Sequence, residues 1–303
     1  MKFRLMSCLL LVMFIAATFT SCGRKYEFPE QVTLYIEEQQ RIITLDHTDY
    51  IKGCIFACSE PSWQQETLIA AGIAANSRAL YCISDESVSI PFGADLTNDP
   101  AVCSLWTDPA AAAEEYEQTA PEYVQRVEEA AETAANLYVE YEGAAADTPM
   151  CLLSTGVTDD GGKPYIPSLE LPCDAESPEQ LSGCVYPSDS LIRMMSEVTG
   201  SVMLPPDHSQ WFTDAEYTAG GTLQSVCFGG KTVTGEQLRE ILGMRSAAIT
   251  VVSSYDEFEF TAAGVGGNTG MSLYAAERLA RGGKTARQII EYFFPGTSVK
   301  SIR

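Results

Sequence analysis

The segment that decides the fold is "GVGGNTGMSLYAAERLARGG", which runs from Gly264 to Gly283. Glycine fills four of its first seven positions, and the residues from about Met271 to Arg281 follow helical spacing. The predicted strand "EFEFTAA" comes directly before it. A glycine-rich loop between a strand and a helix is typical of a backbone that approaches a ligand or another segment closely. The segment therefore predicts a structured loop with a binding role.

The common chemistries of such loops do not fit this one. It lacks the Lys-Ser/Thr ending of a P-loop, and it matches the dinucleotide pattern GxGxxG only loosely. The chain has no GxSxG nucleophile elbow, and its two histidines, His47 and His208, stand in loop-like contexts. Serine hydrolysis and metal hydrolysis are therefore poorly supported, and we expect no cofactor and no metal. Carboxylate chemistry on sugars and binding without chemistry remain.

The composition is that of a globular protein with a strongly acidic surface. The chain has 303 residues, of which 46% are hydrophobic, and a formal net charge of −22. A surface of this sign repels phosphate backbones. We therefore expect no nucleic-acid partner.

The N-terminal segment has the pattern of a bacterial export signal. A basic start is followed by an apolar stretch from about Leu9 to Phe19, which is short for a membrane span. The stretch ends in "FTSC", and this ending resembles a lipobox with Cys22 as the acylated residue. We predict a signal peptide over 1–22 and a lipid anchor on the outer face of the cytoplasmic membrane. Ordinary cleavage and an uncleaved anchor stay open as alternatives.

The remaining cysteines are compatible with two interpretations. An even number of thiols in an exported chain permits disulfides, whereas irregular spacing and the absence of a CxxC pair disfavour a zinc cluster. Buried free thiols account for them equally well. The eight residues are Cys54, Cys58, Cys82, Cys103, Cys151, Cys173, Cys184 and Cys227.

Periodicity and end signals predict a single α+β domain over 23–303. We expect a hairpin at 31–46, a helix from about Gln65 to Cys82, and mostly loop at 156–184. An acidic helical insertion at about 108–137 begins at Asp108. A second hairpin is expected around Gly229-Gly230. Capping boxes are expected at three pairs, namely Thr213 with Glu216, Thr234 with Gln237 and Thr285 with Gln288.

Three segments together resemble one known family. They are "DYIKGCIFACSEPSWQQETLIAAGIAANSRALY", "GEQLREILGMRS" and "GVGGNTGMSLYAAERLARGGKTARQIIEYFFPGT". In the same order, they resemble motifs of the stage II sporulation protein D and amidase enhancer LytB family. The likeness extends over about 31–302 and closes on "FFPGT".

The resemblance implies a cell-wall function. Active members of the family are lytic transglycosylases that cleave peptidoglycan glycan strands without stem peptides during sporulation. One glutamate protonates the glycosidic oxygen and then assists attack by the sugar's own hydroxyl, so no second carboxylate is needed. The amidase-enhancer branch modulates other wall enzymes. The implied partners are glycan strands and other sporulation or cell-wall hydrolase proteins.

The position of the catalytic glutamate is where this chain departs from the family. An ungapped match anchored on Tyr50 and Gly53 places Cys58 at that position. A thiol, with a reference pKa of about 8.5, is a weak acid beside a carboxyl tuned towards neutrality. A one-residue shift would instead assign the role to Glu60, just before Pro61. Both assignments stay open.

Other polar family positions also differ. The arginine of the ARTY motif is Asn76, and the histidine of the glycine loop is Gly267. Scaffold positions such as the glycines and Met271 persist. By resemblance, the substrate-binding residues are Ser77, Cys103, Ser104, Ser154, Gly266, Gly270, Ser272 and Tyr274.

Three hypotheses follow from these matches. The first is an exported, lipid-anchored family member that binds glycan strands or wall enzymes with weakened or lost cleavage. The second is an active lytic transglycosylase in which Glu60 is the acid and base. The third is a structural or amidase-modulating member of a sporulation complex without a glycan site.

Overall fold

The computed structural model describes residues 28–302, so the predicted signal peptide and Cys22 lie outside the described residues. The predicted α+β class is confirmed, because helices and several small sheets share the chain. The helices are α1 (His47–Cys58), α2 (Gln65–Ser84), α3 (Pro109–Glu117), α4 (Pro121–Ala135), α5 (Pro172–Ala175), α6 (Ser188–Thr199), α7 (Gly235–Leu242), α8 (Leu273–Arg281) and α9 (Ala286–Phe293). The strands are β1 (Gln31–Ile36), β2 (Arg41–Asp46), β3 (Leu96–Thr97), β4 (Leu137–Tyr141), β5 (Ala144–Ala145), β6 (Met150–Cys151), β7 (Leu181–Pro187), β8 (Phe212–Tyr217), β9 (Leu223–Phe228), β10 (Lys231–Thr234), β11 (Ile249–Ser253), β12 (Glu257–Ala263), β13 (Met271–Ser272) and β14 (Ser298–Ser301).

The main core forms around α2, which is buried along nearly its whole length. Its alanines and Gly72 let α1 and α4 approach closely. A Cβ on Gly72 would lie 2.7 Å from the Cβ of Ala134 on α4. Tyr123, Val127 and Ala134 of α4 are also buried in this core. The helix of the acidic segment is therefore a central packing element.

A second core is built by residues 191–262. Two three-stranded sheets, with orders β10-β9-β8 and β11-β12-β7, pack with α6 and α7. Phe258 and Phe260 of β12 are fully buried, whereas the alternating Glu257 and Glu259 are exposed. This period of two is what a sheet covered on one face requires.

Most of the predicted elements are present. The hairpin at 31–46 is β1 and β2, and Gly229 and Gly230 both take positive φ in the turn between β9 and β10. The capping boxes at Thr234 and Thr285 are confirmed, with both reciprocal hydrogen bonds present. Among residues 28–302, no helix has the length and hydropathy to span a membrane.

One local prediction is wrong. Thr213 and Glu216 form no capping box, because they lie in β8, where they pair with Cys227 and Ser225 of β9. Pairing with a distant strand outweighs the local helix-start signal here. The segment 156–184 is mostly loop, as predicted, and contains the short helix α5 and the start of β7.

Candidate functional site

The glycine loop owes its shape to backbone positions that only small residues tolerate. Gly264, Gly266 and Gly270 have φ of +74°, +99° and +75°. A Cβ on Gly270 would lie 2.1 Å from the carbonyl oxygen of Pro149, and one on Gly264 would lie 2.7 Å from that of Leu153. The loop therefore lies directly on the 149–153 segment, and this close approach requires glycine at positions 264 and 270.

Gly267, which stands at the position of the family's histidine, has free space around it. A Cβ on Gly267 would meet no atom within 4 Å, and Gly267 has no positive φ. The residue is also exposed. Packing therefore does not exclude a larger side chain, such as histidine, at this point.

Asn268, the next residue in the glycine loop, has a buried side chain. It is 3% exposed, and its φ of +54° is in the left-handed region that asparagine tolerates better than most residues. Its side-chain oxygen accepts from the Thr155 N–H at 3.0 Å. Its amide lies 3.2 Å from Asp159 Oδ2 and 3.3 Å from the Gly220 oxygen. The side chain thus links the glycine loop to two distant loops.

Asp159 completes this buried network. Its carboxylate accepts from the Gly220 N–H at 3.1 Å and from the Thr222 hydroxyl at 2.5 Å. A carboxylate that is 8% exposed needs such donors to offset the loss of hydration. We call Asp159, Asn268, Gly220 and Thr222 the loop-tie network.

Cys58 is the last residue of α1 and is buried. Its side chain is 6% exposed, and burial raises the pKa of its thiol to about 12. The thiol is therefore protonated at neutral pH and shielded from solvent. It cannot deliver a proton to a glycosidic oxygen with the ease of a carboxyl.

Glu60 lies two residues beyond the end of α1 and is exposed. The turn that carries it is held by α4. The Ser59 hydroxyl lies 2.8 Å from the Tyr123 hydroxyl, and Arg126 donates to the Pro61 and Trp63 oxygens, both at 2.5 Å. The backbone around Glu60 is therefore fixed, while its carboxylate faces solvent.

Helix α8 reaches the start of α2 through Glu277. This carboxylate is 4% exposed and accepts from the Gln64 N–H at 2.8 Å and from the Thr67 hydroxyl at 2.7 Å. Arg281 donates to its other oxygen at 2.6 Å. Tyr274 lies one turn before Glu277 on the same helix and is partly exposed. The structure thus brings the helix of Tyr274 against the segment that follows Glu60.

Several predicted substrate-binding side chains are buried and bonded within the protein. The Ser77 hydroxyl accepts from the Val139 N–H at 2.6 Å. The Ser154 hydroxyl donates to Asp174 at 2.6 Å, and Ser272 caps α8 by accepting from the Ala275 N–H. All three serines are fully buried. Their hydroxyls are used to hold the fold.

Cys103 and Ser104 lie in the loop after β3. Cys103 is fully buried, and Ser104 is 3% exposed with no hydrogen-bond partner for its hydroxyl within the described part of the chain. Of the predicted site, the side chains of Glu60 and Tyr274 and the backbone of Gly266 therefore have access to solvent.

Two charged residues with structural importance were not predicted. Glu277 joins α8 to α2, and Arg78 holds the loop before Cys103 by donating to the Val102 oxygen at 3.2 Å. Arg78 stands two positions after Asn76, which occupies the family's arginine position. The isolated charge of Glu277 on an otherwise apolar helix face was the available sequence signal.

The described cysteines are free thiols, five of them buried. Within residues 28–302, no group of three or more His, Cys, Asp and Glu side chains is arranged to hold a metal ion.

Fold and site together define an α+β scaffold organised around a glycine loop that leads into a helix beside the start of α2. No family model matches the chain. It is 22% identical over 279 residues to stage II sporulation protein D of Bacillus subtilis (strain 168), an alignment that covers 89% of this chain and 79% of that protein. It is 21% identical to stage II sporulation protein D of Bacillus amyloliquefaciens, with 90% and 79% coverage.

These similarities confirm the resemblance predicted from the motifs. The chain is distantly similar to stage II sporulation protein D over about nine tenths of its length.

Proposed function

We propose that this protein is an exported, lipid-anchored cell-wall protein of sporulating cells that binds peptidoglycan glycan strands and cleaves them weakly or not at all. The observation that carries the proposal is Cys58. In the ungapped match it takes the position of the family's catalytic glutamate, and burial raises the pKa of its thiol to about 12. In that match the chain has no carboxyl at the position of the family's acid.

The glycine loop supports retained binding. Its positive-φ glycines and its packing on the 149–153 segment preserve a shaped backbone surface, and Tyr274 is partly exposed beside it. An aromatic ring with a hydroxyl at its edge suits the apolar face and hydroxyls of a sugar. These groups support binding without requiring a proton donor.

A second candidate function is cleavage by Glu60. Its carboxylate is exposed on a fixed turn, and the Gln64–Glu277 hydrogen bond holds the helix of Tyr274 near that turn. In this alternative, Glu60 protonates the glycosidic oxygen and then assists the attack of the sugar's own hydroxyl.

Incubation of the purified full chain with glycan strands that lack stem peptides separates the two functions. The proposal predicts sedimentation with insoluble glycan and few or no anhydro-muramyl ends. Abundant anhydro ends that vanish in Glu60→Gln would replace the proposal with the second candidate. Absence of both binding and cleavage would leave a structural or amidase-modulating role.

Tyr274→Ala tests the binding surface, with Tyr292→Ala as a matched control. Tyr292 is a tyrosine that is 45% exposed on α9, outside the glycine loop. We expect Tyr274→Ala to weaken glycan sedimentation by roughly tenfold, in line with a lost aromatic contact. Equal binding by the two variants would show that the glycine-loop face is not the binding surface.

A further inference from the structure

In the described part of the chain, the sheet β11-β12-β7 has one edge that other segments partly cover and one that they leave open. Hydrogen bonds from Gly264 N–H to the Gln180 oxygen and from Ser188 N–H to the Asp256 oxygen fix the ladder between β7 and β12. Even-numbered residues of β7 therefore bond to β12, since bonding alternates along an antiparallel strand. The N–H and C=O groups of Leu181, Gly183 and Val185 point outward from the edge.

The opposite edge, β11, is partly closed. The Ala247 oxygen, next to the strand, accepts from the Leu223 N–H at 2.9 Å, and the Ile249 oxygen accepts from the Tyr217 hydroxyl at 3.0 Å. For residues 181–187 the described part of the chain provides no backbone hydrogen bond outside the β12 ladder. The two edges of one sheet thus differ in how they are protected.

Strand β7 lacks the features that usually prevent edge pairing. It is seven residues long and has no charged side chain and no bulge, with its proline only at the end. Leu181 and Val185 are 65% and 53% exposed. An uncharged apolar edge is conspicuous in a chain with a net charge of −22.

The strand is complementary to a copy of itself. In an antiparallel pair centred on Gly183, the outward groups of Gly183 would bond to Gly183 of the second copy, and Leu181 would lie opposite Val185. Apolar side chains would then meet directly across the new ladder.

The same register also separates like charges. Glu259 is the neighbour of Val185 on β12, and Ala263 is the neighbour of Leu181. In the dimer, one row of side chains across the joined sheets would run from Glu259 through Val185 to Leu181 and Ala263 of the second copy. No carboxylate would face another in that row.

We propose that β7 is a homodimerisation edge, through which two copies of this chain join their three-stranded sheets into one six-stranded sheet. The contact is isologous, which means that both copies use the same strand. A single substitution therefore changes two positions in the interface. Because both copies are strongly anionic, added salt screens their repulsion and strengthens the dimer.

Sedimentation velocity of the full chain in nonionic detergent, over a hundredfold range of concentration, tests this proposal. We expect a monomer–dimer equilibrium that shifts towards the dimer at higher sodium chloride. Val185→Lys should weaken the dimer by about tenfold or more, because a lysine on the edge opposes pairing. A monomer at every concentration and salt overturns the proposal.

Val252→Lys is the matched control. Val252 lies in the same cross-strand row as Glu259 and Val185 and is 64% exposed, but it belongs to β11. The substitution changes the charge by the same amount and should leave dimerisation unchanged. An equal loss in both variants would mean that β7 is not the contact.

Amide hydrogen exchange gives an independent readout. The N–H groups of Leu181, Gly183 and Val185 should gain protection as the concentration rises, whereas those of Ser182 and Cys184 are already bonded to β12. Outward amides that exchange rapidly at every concentration would contradict the pairing.

Discussion

The glycine loop and the turn after α1 lie on the same predicted site but are held in different ways. The loop is fixed by its own backbone, with glycines at positive φ pressed against the 149–153 segment. The turn at 59–63 is fixed from outside by Tyr123 and Arg126 of α4. The loop thus depends on residues that lack a side chain, whereas the turn depends on side chains that another helix supplies.

The largest expected effect is that of Gly270→Ala in the glycine loop. Its Cβ would lie 2.1 Å from a backbone oxygen, at a φ of +75°. We expect the free energy of unfolding to fall by about 3 kcal/mol or more, measured by urea denaturation. Gly283→Ala is the control, because Gly283 has a φ of +83° but no atom within 4 Å of its Cβ position. An equal cost in both variants would show that only φ strain matters.

The next effect concerns the loop-tie network. Asn268→Gly keeps the left-handed backbone accessible but removes the side chain that bonds Asp159, Gly220 and Thr155. We expect a loss of about 2 kcal/mol in the free energy of unfolding, because buried polar groups lose partners. Gln40→Gly, at an exposed residue with a φ of +48°, should be neutral or stabilising. A neutral Asn268→Gly would contradict the role of the network.

A smaller effect is expected in the turn after α1. Tyr123→Phe removes the hydroxyl that bonds Ser59 and keeps the ring in the core. We expect a loss of about 1 kcal/mol. Tyr116→Phe is the control, since Tyr116 stacks on Phe56 near Tyr123 and its hydroxyl has no hydrogen bond in the described residues. Equal effects would mean that α4 does not hold the turn through Tyr123.

The smallest effect is expected for Gly267→His, which restores the family's histidine. Open space around the Cβ position predicts a change in the free energy of unfolding within about 0.5 kcal/mol. A large destabilisation in thermal or urea unfolding would show that packing, and not only chemistry, distinguishes this loop from the family's.

The sequence predicted the parts of the fold that depend on local signals. Thr234 and Thr285 begin helices as expected because a capping box acts within four residues. Thr213 has the same spacing but lies in β8, where pairing with β9 decides the structure. The residues around Thr213 carry no information about β9, the strand with which they pair.

The candidate site was less predictable than the fold. The motif matches placed Ser77, Ser154 and Ser272 among the substrate-binding residues, yet each hydroxyl bonds inside the protein. Spacing gives the position of a side chain along the chain but not the direction of its hydroxyl. Burial of Cys58 likewise depends on packing with the core, and no local pattern reports it.

The loop-tie network also has a consequence for cooperativity. Asn268 follows the second core in the chain and precedes α8 of the main core, while Asp159 and Gly220 come from segments more than 45 residues away from it. When these hydrogen bonds break, polar groups of all three segments lose their partners at once. Unfolding of either core therefore lowers the stability of the other. We therefore expect a single heat-absorption peak in scanning calorimetry, and two resolved peaks in Asn268→Gly.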